Sequence, residues 1–264
     1  MRYDLRNKAV ALTGGSRGIG RAVAVKLAEE GARLAIIARD EAKLSETAEL
    51  VQAAGAFVAP IVGDVTDNDS VADAVARAAE ELDGIDVFMN IAGLTLERSI
   101  EDASPEDYVR VMDTNLLGVV RCTKSALPHL RKSQGLLVNI ASVIISNPFP
   151  WLGVYACSKW AVAAFSHTIR QELHGSGVRV LTVYPTVVRT DLADEEPVLA
   201  DTPSQSPEQC ARAIVKAIKK GKVEAGTAWL PKLSGAIFTI YPPLTDWINR
   251  LFLPRDYRDR LRDH

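Results

Sequence analysis

The fold of this chain is decided by the stretch Ala9-Val10-Ala11-Leu12-Thr13-Gly14-Gly15-Ser16-Arg17-Gly18-Ile19-Gly20. A short apolar run meets a glycine-rich turn, and apolar residues then recur at helical spacing at Ile19, Val23 and Leu27. Glycines let a backbone turn tightly and approach a ligand closely, and a helix N-terminus attracts phosphate. Such a turn can also be an ordinary glycine-rich turn that binds no ligand. Its place between a first strand and a first helix favours a phosphate-bearing ligand.

The rest of the chain through residue 183 alternates continuous apolar runs with amphipathic helical segments. Continuous apolar runs suit strands that are buried on both faces, as in a parallel sheet. Apolar residues recur at helical spacing from Val71 to Leu82, and Ser104-Pro105 opens a long helix. This order predicts one α/β domain over residues 1–264, a Rossmann-type, doubly wound parallel sheet flanked by helices. The predicted strands are Ala9–Leu12, Leu34–Ala38, Phe57–Val62, Val87–Met89, Leu136–Ile140 and Val178–Val183.

Two segments near the C-terminus differ from this pattern. Residues 191–209 are acidic and broken by prolines, and we expect a mobile substrate loop there. Residues 236–264 form a C-terminal extension whose apolar stripe, from Leu244 to Phe252, predicts an amphipathic helix. That helix could pack on the core or at a dimer interface, or act as a lid or a membrane-surface contact. Its mixed charges argue against strong attraction to lipid.

Composition excludes several functional classes. The 264 residues carry a net charge of −2, which gives no electrostatic basis for binding nucleic acid. The three cysteines are scattered, so we expect no disulfide framework and a reducing, cytoplasmic location. The four histidines show no metal-ligand spacing, and no metal site is predicted. No apolar stretch is long enough to cross a bilayer.

The strongest chemical signal is the spacing of Ser142, Tyr155 and Lys159. Tyr155 and Lys159 are four residues apart and share one face of a helix, so the ammonium should lower the pKa of the phenol. A tyrosine tuned in this way can exchange a proton with a substrate. Ser142 ends a predicted strand and could hydrogen-bond the same substrate oxygen. In isolation, Tyr-x-x-x-Lys more often marks an ordinary helix face, and it is Ser142 and the glycine-rich turn that favour catalysis.

The end of the second predicted strand bears on the choice of cofactor. A cofactor with a free ribose 2′-hydroxyl is usually bound by an acidic residue at this position. This chain has Ala38 and then Arg39, and its acidic residue, Asp40, comes one position further along. Arg17 and Arg39 could together clamp a 2′-phosphate. Either arginine alone could be a solvated surface charge. Their joint placement predicts NADP(H) rather than NAD(H).

Residues 8 to about 190 resemble the classical short-chain dehydrogenase/reductase family. The similar motifs are the glycine pattern, Asp64-Val65, Asn90-Ile91-Ala92-Gly93, Asn115, the Ser142-Tyr155-Lys159 set, and Pro185 with Thr190. Ile91 and Thr186 depart from the family pattern, which usually has asparagine and glycine at these positions. The predicted cofactor-binding residues are Gly14, Ser16, Arg17, Gly18, Ile19, Gly20, Arg39, Asp64, Val65, Asn90, Ala92, Gly93, Tyr155, Lys159, Pro185, Val188 and Thr190.

The resemblance implies a mechanism and an assembly. It implies hydride transfer between NADP(H) and a carbonyl or secondary alcohol, with Ser142 and Tyr155 binding the substrate oxygen. Lys159 would lower the pKa of Tyr155 and bind the nicotinamide ribose. Asn115 would hold a water that links Lys159 to solvent. The family usually forms dimers or tetramers through the helices of Asn115 and Tyr155, so a homodimer or homotetramer is expected.

The substrate prediction depends on the segment that follows Ser142, which lines the substrate pocket in the family. Residues 143–152 are strongly apolar, which indicates a lipophilic carbonyl or alcohol substrate, although they could instead face the core or a subunit partner. Two other functions stay open. One is a non-catalytic sensor of NADP(H), which would have no need of the Ser142-Tyr155-Lys159-Asn115 set. The other is a related lyase or epimerase, which would often show an altered glycine spacing that is absent here.

Overall fold

The computed structural model describes residues 3–146, 148–190 and 204–227, together with 243, 244, 246 and 247. Its centre is a parallel sheet of seven strands in the order β3-β2-β1-β4-β5-β6-β7. This confirms the predicted fold class, and the six predicted strands differ from the observed ones by at most one residue at either end. The strands are β1 Ala9–Thr13, β2 Arg33–Ala38, β3 Val58–Val62, β4 Val87–Asn90, β5 Leu136–Ile140, β6 Arg179–Tyr184 and β7 Glu224–Gly226.

Helices cover both faces of the sheet, which explains why its central strands β1, β4 and β5 are buried along their whole length. Side chains of α1, α2 and α7 pack on one face, and those of α3, α5 and α6 pack on the other. The strand order reverses between β1 and β4, the place where open α/β sheets bind ligands at their carboxyl ends. The helices are α1 Gly18–Glu29, α2 Glu41–Ala53, α3 Asn68–Glu81, α4 Pro105–Met112, α5 Gly118–Ser133, α6 Gly153–Glu172 and α7 Pro207–Lys219.

The long helix opened by Ser104-Pro105 is not uniform. Between α4 and α5, residues Asp113–Leu117 form a π-helical turn, which is wider than an α-helical turn. Single π turns of this kind occur frequently at functional sites. This turn carries Asn115, one of the predicted catalytic residues.

The region after β6 corrects one predicted boundary. Helix α7 begins at Pro207, and its first turn is closed by a capping box between Ser206 and Gln209. The predicted loop therefore cannot run to residue 209, and residues 191–203 lie outside the described part of the chain. Most of the C-terminal extension also lies outside it. Of the predicted stripe, Leu244 and Trp247 are described, and both side chains are exposed.

Among the residues that the structure describes, no helix is both long enough and apolar enough to cross a membrane.

Candidate active site

The glycine-rich turn after β1 is closely packed against the turn that follows β4. Gly14 has φ +71°, and a Cβ at this position would lie 2.8 Å from Ala92 Cα. A Cβ on Gly20 would lie 2.0 Å from Gly14 O. The Thr13 hydroxyl oxygen accepts hydrogen bonds from the amides of Ile91 and Ala92, each at 3.2 Å. Glycine is required here because the two turns leave no room for side chains.

Helix α1 begins at this turn without a side-chain cap. The residue before it, Arg17, makes no capping hydrogen bond, and the first turn has no acidic residue. In contrast, α2 and α3 are capped by Asp40 and Asp67. The N-terminal amides of α1 therefore face an open cleft, an arrangement that suits a bound phosphate.

The cleft has a volume of about 340 Å³ and runs along the carboxyl ends of the strands at the switch between β1 and β4. Twelve of the predicted cofactor residues line it: Gly14, Ser16, Arg17, Gly18, Ile19, Gly20, Arg39, Asp64, Val65, Ala92, Gly93 and Thr190. The prediction did not include Ile37, Ala38, Asp40, Lys43, Gly63, Ile91, Leu94 and Thr114, which line it as well.

Five of the predicted cofactor residues are not among those that line this cleft, and their part in cofactor binding stays a prediction: Asn90, Tyr155, Lys159, Pro185 and Val188. Asn90 is buried, and its amide nitrogen donates to Thr123 Oγ1 at 3.1 Å and to Asn139 Oδ1 at 2.8 Å. It thus joins β4 to β5 and α5 inside the core. Pro185 and Val188 are also buried, beyond the end of β6.

One end of the cleft carries charged groups at the carboxyl ends of β2 and β3. Arg39 Nη1 lies 3.8 Å from Asp64 Oδ2, and 72% of the Arg39 side chain is exposed. Burial acts to raise the pKa of Asp64, but hydrogen bonds from Thr66 and the nearby guanidinium groups hold it below its usual value. Asp40 Oδ1 accepts from Lys43 N at 3.0 Å. Because Asp40 caps α2, its carboxylate already has a structural partner.

Lys159 does not line the cleft itself but lies next to Gly93, which does. This lysine is only 5% exposed, and its ammonium donates to Ile140 O at 2.9 Å. A Cβ on Gly93 would lie 3.5 Å from Lys159 Nζ, so the ammonium lies beside the cleft wall. The Tyr155 ring centroid is 5.7 Å from the same nitrogen. The predicted pair is therefore brought together, one helical turn apart on α6.

Ser142 lies directly after β5 and faces this pair. Its hydroxyl oxygen accepts from Ile144 N at 3.2 Å, which begins a short 3₁₀ turn over Val143–Ile145. A hydrogen bond between the side chains of Ser142 and Tyr155 acts to lower the pKa of the phenol. The two hydroxyls are thus close enough to hold one substrate oxygen between them.

The expected effect of Lys159 on Tyr155 is not observed. Burial raises the pKa of Tyr155 above 10.0, and the interaction with Ser142 only partly opposes this. Burial also lowers the pKa of Lys159, from 10.5 to about 8. The prediction rested on the short distance between Tyr155 and Lys159. Both side chains are also removed from water, and this disfavours the phenolate of Tyr155 as well as the ammonium of Lys159. Burial, rather than the charge of Lys159, therefore sets the direction of the shift in the pKa of Tyr155.

Asn115 is fully buried, and three hydrogen bonds hold its side chain. Its Oδ1 accepts from Leu94 N at 2.8 Å, and its Nδ2 donates to Leu94 O and to Ser158 Oγ, each at 2.9 Å. The side chain therefore connects the segment after β4 to α6, next to Lys159. This geometry shows a positioning role for Asn115. The predicted water relay stays a prediction.

Two residues that the sequence reasoning missed support the segment beyond β6. Thr227 Oγ1 accepts from Thr186 N at 3.2 Å and from Gln205 Nε2 at 2.5 Å. Gln205 also pairs with the backbone on either side of Val188, through Gln205 N to Val187 O and Arg189 N to Gln205 O. Thr186, which stands where glycine is usual, does not have a positive φ. The threonine is therefore accommodated without backbone strain.

Comparison with known proteins agrees with this geometry. A model of the short chain dehydrogenase family matches residues 8–198. The chain is 32% identical to the ketoacyl reductase HetN of Nostoc sp., over 97% of this chain and 93% of that protein. It is 27% identical to a fatty acyl-CoA reductase of Acinetobacter baylyi, over 93% of this chain and 84% of that protein.

A solved structure shares the fold. The alcohol dehydrogenase from the archaeon Thermococcus sibiricus, complexed with 5-hydroxy-NADP, matches with a TM-score of 0.74 and 32% identity. The match covers 83% of this chain and 94% of that one.

Proposed function

The chain belongs to the short-chain dehydrogenase family, and from that premise we propose that it uses NADP(H) to reduce a lipophilic ketone or aldehyde. The observation that carries the proposal is the position of Lys159, which is buried beside Gly93 of the cleft wall with the Tyr155 ring 5.7 Å away. The glycine-rich turn and Arg17 line the same cleft as Gly93. A phosphate-binding turn and a proton donor would thus serve one bound cofactor.

The residues of the cleft fit a nicotinamide dinucleotide. The uncapped amides of α1 would bind a pyrophosphate, and Gly14 and Gly20 allow the close packing that shapes this turn. Arg17 and Arg39 would hold a 2′-phosphate, and Lys159 would bind the ribose next to the nicotinamide. When bound, the cofactor supplies the hydride.

The protein's own part in the reaction is to hold the substrate oxygen and to provide a proton. Ser142 and Tyr155 would hydrogen-bond the carbonyl oxygen of the substrate. Tyr155 can give a proton to that oxygen because its raised pKa keeps the hydroxyl protonated at neutral pH. The Lys159 ammonium, close to the same ring, would stabilise the phenolate that remains. The reverse reaction, oxidation of a secondary alcohol, would use the same groups.

The proposal of a lipophilic substrate is supported by the surroundings of Tyr155. Ile144, Leu152 and Ala156 form a buried apolar cluster, and the partly buried side chains of Ile145, Phe149, Trp151 and Tyr155 pack against it. Two similar proteins are named as a ketoacyl reductase and a fatty acyl-CoA reductase. Both names denote acyl substrates, which suits an apolar wall next to a proton donor.

Assembly and location are further parts of the proposal. A homodimer or homotetramer is supported by exposed apolar side chains on α4, on the π turn and on α6: Val109, Leu117 and Trp160. A cytoplasmic location is supported by the three unpaired cysteines. Light scattering of Leu117→Glu would test the interface, with a reduced oligomer mass as the expected result.

The function is tested by cofactor binding and by turnover. We expect NADPH to bind more tightly than NADH in a fluorescence titration. We also expect medium-chain aliphatic and aromatic ketones and aldehydes to be reduced faster than sugars or short keto acids. Tyr155→Phe should lower kcat by at least about 100-fold, because it removes the proton donor, while NADPH affinity changes little.

Each competing function predicts a different result. A protein that binds NADPH but reduces no member of the panel, with Tyr155→Phe indistinguishable from the native chain, would be a sensor. Tighter binding of NADH would refute the assignment of Arg17 and Arg39 while leaving the oxidoreductase in place. Fastest turnover of a small polar keto acid would refute the lipophilic substrate.

A further inference from the structure

A third cation, Lys43, lines the cofactor cleft together with Arg17 and Arg39. Lys43 lies in the first turn of α2, where the positive end of the helix dipole disfavours a lysine. Its side chain is half-buried. Within the ranges 3–146, 148–190 and 204–227, no carboxylate forms an ion pair with its ammonium. The stability of α2 therefore does not explain a lysine at this position.

The backbone of Lys43 is held in a fixed relation to the glycine-rich turn. Its amide donates to Asp40 Oδ1, and its carbonyl oxygen lies 3.0 Å from Thr47 Oγ1. The same threonine oxygen lies 3.2 Å from Ser16 O, which also accepts from the Arg21 guanidinium at 2.8 Å. Because Ser16 precedes Arg17, this network joins the first turn of α2 to the turn that carries Arg17. A backbone held in this way keeps Lys43 and Arg17 in position, so that little rearrangement is needed when a ligand binds.

Without Lys43, the charged side chains along the cleft wall cancel one another. Arg17 and Arg39 bring two positive charges, and Asp40 and Asp64 bring two negative ones along the same wall. Lys43 gives the wall a net positive charge, which a phosphate group needs. Arg39 is further engaged with Asp64 at 3.8 Å. The two arginines alone would thus form a nearly neutral site.

We propose that Lys43 binds the 2′-phosphate of the adenosine ribose, and that it completes with Arg17 and Arg39 a three-cation site that selects the 2′-phosphorylated cofactor. The inference rests on the proposed use of NADP(H). It assigns to Lys43 a role in cofactor selection, separate from the binding of the pyrophosphate at α1.

Calorimetry of the full-length protein with two fragments tests this inference. The probes are 2′,5′-ADP, which carries the 2′-phosphate, and 5′-ADP, which lacks it. Lys43→Gln should weaken binding of 2′,5′-ADP about tenfold, the loss expected for one charge-assisted hydrogen bond. Binding of 5′-ADP should be unchanged, which also shows that the variant is folded. Lys43→Arg should retain most of the affinity, and Lys132→Gln, on the exposed end of α5, should retain all of it.

The outcomes separate this inference from the proposed function. If the native protein prefers 2′,5′-ADP and Lys43→Gln keeps the full preference, the role of Lys43 is refuted and the NADP(H) proposal stands. An equal loss for both fragments also refutes it, because Lys43 would then contact another part of the nucleotide. If the native protein does not prefer 2′,5′-ADP, the NADP(H) proposal is wrong, and the inference is wrong with it.

Discussion

Replacing Lys159 with methionine should stabilise the cofactor-free protein at pH 7 while abolishing its activity. Burial lowers the pKa of Lys159 from 10.5 to about 8, which corresponds to about 3 kcal/mol of unfavourable free energy for the buried ammonium at neutral pH. Methionine has a similar shape and no charge. The substitution also removes the hydrogen bond to Ile140 O, at a cost of about 1–2 kcal/mol. We therefore expect a net gain of about 1–2 kcal/mol in the free energy of unfolding.

The gain should depend on pH in a defined direction. Because the folded chain binds this proton less tightly than the unfolded chain, the stability of the native protein rises as pH increases from about 8 toward 10.5. The advantage of Lys159→Met should thus shrink between pH 7.0 and 9.5. Burial raises the pKa of Tyr155, which moves its titration further from this range.

Urea unfolding at one fixed protein concentration measures this difference across the pH range. Lys132→Met, which changes an exposed lysine, is the control, and its stability should follow that of the native protein at every pH. A difference between Lys159→Met and the native protein that stays constant from pH 7.0 to 9.5 would refute the reasoning. A Lys159→Met variant that is much less stable than the native protein at pH 7 would also refute it, because the buried ammonium would then stabilise the fold.

Three further substitutions test other parts of the site. Asn115→Leu should lower the free energy of unfolding by about 2–4 kcal/mol, because it removes two hydrogen bonds to the half-buried backbone of Leu94 and one to the buried Ser158 hydroxyl, and urea unfolding measures this loss. Gly20→Ala should weaken NADPH binding at least about tenfold in a fluorescence titration, since its Cβ would meet Gly14 O at 2.0 Å; unchanged affinity would exclude the phosphate-binding role of the turn. Thr227→Val should lose about 1–2 kcal/mol of stability by thermal or urea unfolding, and Thr227→Ser should restore it.

The sequence predicted the parts of this protein that depend on local pattern. The strand, turn and helix over residues 9–29 could be predicted because apolar spacing and glycine placement act within a few residues. The pairing of Tyr155 with Lys159 could be predicted because it needs only one turn of α6. The short strand β7, Glu224–Gly226, was missed because its three residues show no apolar run and it pairs only at the edge of the sheet.

Features that depend on distant contacts could not be predicted. The direction of the pKa shift of Tyr155 follows from burial by several elements, which spacing along one helix does not report. The contact of Asn115, on the π turn, with Ser158 on α6 joins residues 43 positions apart. Lys43 lines the same cleft as Arg17, and Thr47 on α2 is hydrogen-bonded to Ser16 in the glycine-rich turn. In each case a residue's role is set by a neighbour more than 25 positions away or by a whole surrounding shell.

The pairing of Val188 with Gln205 has a consequence for engineering. The two backbone hydrogen bonds at this bridge place residues 189 and 205 side by side, whatever lies between them. The sequence between these two points can then be exchanged for one of another length, as a cassette, while Thr190 keeps its place in the cleft wall. Libraries of grafted segments that join at residues 190 and 204 are the practical form of this idea.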